Sequence, residues 1–201
     1  MFEHSPKIAF QWPLRFGWGT ASILLIIAVV FAVESAHGVF ENDTALLRLG
    51  ALPNAGLHGQ YWRLVLFGLL HWNALHIIEN AFCLLCLGLI VERRVGTGAL
   101  MVLFFVASIA SGLAILLKYQ FIFASGSSVG ASGGMFGIMG AALVLTQRVP
   151  PASALIRYGL WLFPIGGLAV SLMPQSSLIG HVAGLLVGVP FGFFVRVRVA
   201  S

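Results

Sequence analysis

Six runs of apolar residues dominate this chain, at 19–36, 73–91, 98–117, 130–145, 154–172 and 178–195. A helix needs about 20 residues to cross the hydrocarbon of a bilayer, so the runs are read as six transmembrane helices and the chain as an all-α polytopic membrane protein. Only 8% of its residues are charged, whereas a soluble domain carries roughly 25%. The reading gives a short N-tail at 1–18 and a six-span domain at 19–198, with a long outer loop at 37–72 between the first two spans. The first run is long and has no convincing small-x-small cleavage site, so it is expected to be a retained span rather than a signal peptide.

The net charge of +5 comes from basic residues scattered singly and in pairs, which argues against a nucleic-acid partner. Their placement fits the positive-inside rule instead. With the N-terminus inside, Lys7, Arg15, Arg93, Arg94, Arg148, Arg157, Arg196 and Arg198 fall on the inner side. Arg48, Arg63 and Lys118 fall on the outer side. Both termini are therefore expected in the cytoplasm. Trp12 and Trp18 suit an interfacial belt. Cys83 and Cys86, within the second run, are expected to pack as small apolar residues; no metal or cofactor is called for.

The stretch Gly130-Ala131-Ser132-Gly133 opens the fourth run after a polar loop. Alone it reads as an N-capping serine in a glycine-rich loop. The topology changes its weight. Spans 2, 4 and 6 all run from outside to inside, so polar residues near their first turns share one depth. Span 4 brings Ser132, span 6 brings His181, and span 2 brings His76, Glu79 and Asn80. Ionisable groups inside spans are costly and are functional candidates by default. A serine becomes a nucleophile when a histidine takes its proton. No span holds an aspartate, so Ser132 and His181 would form a dyad. His76 and Asn80, four apart on one helical face, could donate to an oxyanion together with the Ser132 amide. The plainer reading is that they only bond helices together. Gly180, Gly184, Gly188 and Gly192 recur every fourth residue on span 6, which lets helices approach closely. Gly184 and Gly188 share the His181 face, so span 6 is expected to meet glycine-rich span 4 there.

In these motifs the chain resembles the rhomboid intramembrane serine proteases of the basic six-span bacterial type. The matching residues are Trp62-Arg63, then His71, His76 and Asn80, then Glu92-Arg93-Arg94 with Gly96. Gly130-Ala131-Ser132-Gly133 and His181 with its flanking Gly180, Gly184 and Gly188 complete them. The resemblance implies Ser132 as nucleophile and His181 as general base, with His76, Asn80 and the Ser132 amide as oxyanion donors. It implies Trp62-Arg63 as structural loop residues and span 5 as a lateral gate, for which Trp161 and Phe163 are the candidates here. The implied activity is endoproteolysis of transmembrane protein substrates near their outer ends, at small or helix-weakening residues, in a bacterial inner membrane. Alternatives are a sorting-type member that trims C-terminal membrane anchors and a rhomboid-like binder of membrane clients that does not cleave. A small transporter, from another class, would need polar groups spread along a path through the bilayer. Two positions depart from the family. Phe136 stands where many bacterial members have tyrosine, and Glu79 stands beside the expected oxyanion asparagine.

Overall fold

The computed structural model describes residues 17–122, 125–149, 154–172 and 176–197. The N-tail with Lys7, Trp12 and Arg15, the pair Pro150-Pro151 and Arg198 lie outside the described residues. The chain opens with α1 (Trp18–Ala36), followed by α2 (Asp43–Leu49), β1 (Leu52–Pro53) and α3 (Arg63–Leu66) in the first loop. Then come α4 (Ala74–Cys83), one π-helical turn (Leu84–Gly88) and α5 (Leu89–Val95), which together make one continuous rod of 22 residues. Next are α6 (Thr97–Phe121), β2 (Ser127–Ser128), α7 (Ser132–Arg148), α8 (Ala154–Gly159), α9 (Leu162–Val170) and α10 (Leu178–Phe194).

Three helical segments are long and apolar enough to cross a membrane: Trp18–Ala36, Ala74–Val95 and Thr97–Phe121. Leu178–Phe194 is apolar and shorter. The sequence expectation needs three adjustments. The second span continues to Val95, past the predicted end at 91. The fifth is not one helix, because the chain turns at 160–161 between α8 and α9. Nor is the protein wholly α, since β1 pairs antiparallel with β2, Leu52 opposite Ser128 and Pro53 opposite Ser127.

The bundle is built around α7, whose residues from Gly133 to Ala142 are all buried. Such a helix must lie close to its neighbours, and glycine lets it. A Cβ on Gly134 would sit 2.6 Å from the Phe104 ring, and one on Gly137 would run into Ala107, both on α6. On the other side, a Cβ on Gly188 would strike the Gly137 carbonyl, and one on Gly192 would meet Val144 Cβ at 2.8 Å. Helix α7 is therefore gripped between α6 and α10. The expected meeting of spans 4 and 6 occurs, but most of the span 4 glycines serve α6. Gly180 also faces α6, where a Cβ would lie 2.6 Å from Ser111 Oγ.

Polar clamps hold the ends of the bundle. The Glu92 carboxylate accepts from the Gly19 amide at 2.6 Å, the Thr20 amide at 2.8 Å, and the Thr20 and Thr97 hydroxyls at 2.7 Å each. This ties the start of α1 to the end of the α4–α5 rod and the start of α6. Arg94 is fully buried, and donates to the Ile90 and Val149 carbonyls. Arg148 donates to the Gly192 and Val195 carbonyls. Removing the Glu92 carboxylate strands four donors, and a buried polar group without a partner costs about 1–3 kcal/mol. Glu92→Ala is predicted to lower the thermal unfolding midpoint in detergent by an amount worth about 3 kcal/mol or more, and Glu92→Gln, which keeps one acceptor oxygen, by less. An unchanged midpoint for Glu92→Ala would refute the clamp.

Candidate active site

Ser132 is the first residue of α7, so its amide is among those a helix start leaves without an intrahelical acceptor. The segment before it is fixed from the first loop. Besides the β1–β2 pair, Asn54 N donates to the Gly126 carbonyl at 3.1 Å and Asn54 Nδ2 to the Ser125 carbonyl at 3.1 Å. Asp43 Oδ1 accepts from the Ser127 amide and hydroxyl at 2.8 and 2.6 Å, and the Gly130 amide donates to Phe67 O at 2.9 Å. The first loop is itself braced by Arg63, which stacks on Trp62 and donates to the Leu47 and Ala51 carbonyls.

His181 stands one turn into α10, on the face that packs against α7. Its Nε2 lies 2.8 Å from Ser132 Oγ, inside the range a direct proton transfer needs. The imidazole stacks on Phe136, with ring centroids 4.2 Å apart and planes 9° from parallel. Stacking requires only the ring, so phenylalanine fills this place without a hydroxyl. The Cζ end of the Phe136 ring is met by α9 at Gly167, where a Cβ would lie 2.8 Å from Phe136 Cζ.

His76 closes the other side of the serine. Gly130 has φ +136°, a conformation that side chains rarely adopt, and a Cβ there would lie 2.6 Å from the His76 ring and 3.6 Å from Ser132 Oγ. Both the backbone and the space therefore require glycine. The Asn80 side chain is buried and its Nδ2 donates to the His76 carbonyl at 2.9 Å, which leaves one amide hydrogen for another acceptor. Beneath His76 lies His71, fully buried and edge-on at 5.3 Å. Burial first, and the charge of His76 second, push His71 down to about 3, so it is neutral at any physiological pH. The His71 amide donates to Glu34 Oε1 of α1 at 2.8 Å.

The structure sets His181 and His76 beside Ser132, with Asn80 bonded to the His76 carbonyl one turn further along α4. Glu79 stands apart, exposed on the side of α4 that carries Leu75, Ile78 and Phe82. Phe163 stacks against Phe82 of α4 at 6.2 Å, and Trp161 is half-exposed at the turn before α9. Among the described residues, no three His, Cys, Asp or Glu side chains gather as metal ligands.

Two polar residues escaped the sequence reading. Glu34 is a buried acid inside the first apolar run, and its charge in that run was a signal available to find it. Ser171 contacts His181 from the end of α9, its Oγ 2.5 Å from Nδ1. No motif marks it, because a serine at the end of a span is ordinary.

The arrangement offers acyl-transfer chemistry: a hydroxyl at a helix start, bonded to an imidazole. A sequence model of the Rhomboid domain matches residues 58–198. The chain is 31% identical over 173 residues to the rhomboid protease GlpG of Photorhabdus laumondii, covering 84% of this chain and 58% of that protein. It is 31% identical over 180 residues to the rhomboid protease GluP of Bacillus subtilis, covering 83% of this chain and 32% of that protein. The rhomboid protease GlpG of Yersinia pestis is 28% identical over 180 residues, covering 87% and 62% respectively. The chain spans less than two thirds of the length of each of these relatives.

Proposed function

The chain belongs to the rhomboid family, and on that premise we propose that it is an intramembrane serine endopeptidase that cleaves transmembrane segments of other membrane proteins. The observation that carries the reading is the 2.8 Å bond between His181 Nε2 and Ser132 Oγ. In the proposed reaction His181 takes the serine proton as Oγ attacks a peptide carbonyl, then returns it to the leaving amine. His76, Asn80 and the Ser132 amide surround the oxyanion. Substrate would approach between α4 and α9, where Phe163 and Trp161 stand as gate residues. The six-span topology, with α7, the α8–α9 pair and α10 as spans beside the three long ones, belongs to the same proposal. So do the cytoplasmic termini and the placement in a bacterial inner membrane. Trimming of C-terminal anchors would use the same site on a different substrate. The close Ser132–His181 pair disfavours a binder that does not cleave.

The test is reaction of the purified chain with a fluorophosphonate probe. Labelling at Ser132, lost in Ser132→Ala, is the expected result; an unlabelled, folded wild-type chain overturns the proposal. The donor assignment is tested by kinetics. Losing one oxyanion donor typically costs about 10²–10³ in kcat, so His76→Ala and Asn80→Ala are predicted to fall by about that factor while Ser132 still reacts with the probe. Wild-type turnover by both variants would make the two residues interhelical glue and nothing more.

A further inference from the structure

The contact between Ser171 and His181 carries more than packing. Ser171 is the residue just after α9 and is buried. Its Oγ has two neighbours: the Gly167 carbonyl oxygen at 2.6 Å and His181 Nδ1 at 2.5 Å. A hydroxyl has one hydrogen to donate, and a carbonyl can only accept. The hydroxyl hydrogen must therefore lie toward Gly167 O, or two oxygen atoms would face each other at 2.6 Å with no proton between them. With that hydrogen committed, the bond to the ring has a single polarity: His181 Nδ1 donates its N–H and Ser171 Oγ accepts.

The consequence reaches the other ring nitrogen. A neutral imidazole carries one N–H. If it sits on Nδ1, then Nε2 holds a lone pair, and Nε2 is the atom 2.8 Å from Ser132 Oγ. In the opposite tautomer Nε2 would donate to the serine and could not take its proton. We propose that Ser171 is a positioning residue that holds His181 in the tautomer able to accept the Ser132 proton. The inference rests on the proteolytic reading of the site. Orienting groups of this kind are usually carboxylates; here a neutral hydroxyl does it, its own proton parked on the helix it terminates. When the serine proton moves to Nε2, the Nδ1–H bond to Ser171 remains and holds the imidazolium in plane. Because Ser171 belongs to the end of α9, the base is correctly oriented only while α9 is docked.

The test is nitrogen NMR of the full chain in lipid with ¹⁵N-labelled histidine, the His181 signals assigned by comparison with His181→Gln. The wild-type ring is expected to be protonated on Nδ1 and bare on Nε2. In Ser171→Ala the other tautomer should become populated. Its kcat should fall roughly fivefold to tenfold, the worth of one hydrogen bond, with KM unchanged. Ser171→Thr, which keeps the hydroxyl, should restore both. A wild-type His181 protonated on Nε2 overturns the proposal without any variant. So does a Ser171→Ala chain in which either the tautomer or kcat stays as in wild type. If the wild-type chain turns over no substrate, the proteolytic reading fails separately, and the nitrogen spectrum still decides the tautomer.

Discussion

Ser132→Ala, His181→Ala and the double variant are expected to lose cleavage of a transmembrane model substrate to one common residual level. Each single change should cost on the order of 10⁴-fold or more, and the second should add nothing, because a nucleophile and its base act as a unit. The reason lies in the geometry. Without Nε2 at 2.8 Å, the serine hydroxyl keeps its proton near neutral pH; without Oγ, the imidazole has no nucleophile to activate. Helices α7 and α10 also meet through Gly184, Gly188 and Gly192, so the variants should stay folded, with His181→Ala, which vacates a buried ring stacked on Phe136, unfolding at a lower temperature than Ser132→Ala. The measurement is kcat/KM on purified protein with contaminating protease excluded. Turnover by Ser132→Ala within tenfold of wild type, or a double variant far worse than either single one, would break the assignment.

Gly184→Leu is expected to insert in the membrane and lose cleavage and probe labelling together. A Cβ at 184 would run into the Gly133 carbonyl and lie 3.1 Å from Phe136 Cβ. Neither obstacle is a flexible side-chain end, so the helices themselves must part. Gly133 adjoins Ser132 and Phe136 is the ring on which His181 stacks, so the displacement falls on both members of the pair. A misplacement of about 1 Å can cost on the order of 10²-fold, and leucine demands more room than that. The control is Gly98→Leu, at a position where nothing lies within 4 Å; it should keep wild-type activity. Near-normal turnover by a folded Gly184→Leu chain would contradict the close contact.

How far the sequence could be read follows from what each feature leaves in it. Long apolar runs and glycines every fourth residue are periodic, so the helices and the face of α10 that carries His181 were legible. Ser132, His76 and Asn80 stood out because polar groups are rare in such runs. The break between α8 and α9 was hidden, since the residues at the turn, Leu160 and Trp161, are apolar like the run around them. Two-residue strands have no period at all, so the β1–β2 pair left no trace. The burial of Arg94 was hidden too, because the carbonyls of Ile90 and Val149 that accept from it are backbone groups, which no composition rule reveals. Ser171 was invisible for a related reason. Its role depends on where its single hydrogen points, and that is decided by Gly167 and His181, on two different helices.

The seating of Gly184 and Gly188 on the carbonyls of Gly133 and Gly137 also restricts how the bundle can move. Backbone lies against backbone there, with no side chain to yield. Helix α10 can slide along α7 only by carrying one glycine to the next seat, four residues or about 6 Å away. Any smaller slip drives an α-carbon into a carbonyl oxygen. The register of His181 against Ser132 along the helix axis therefore has no small graded settings. The contact of α9 with α7 is of another kind: Gly167 meets the Cζ end of a side-chain ring, Phe136, and no backbone.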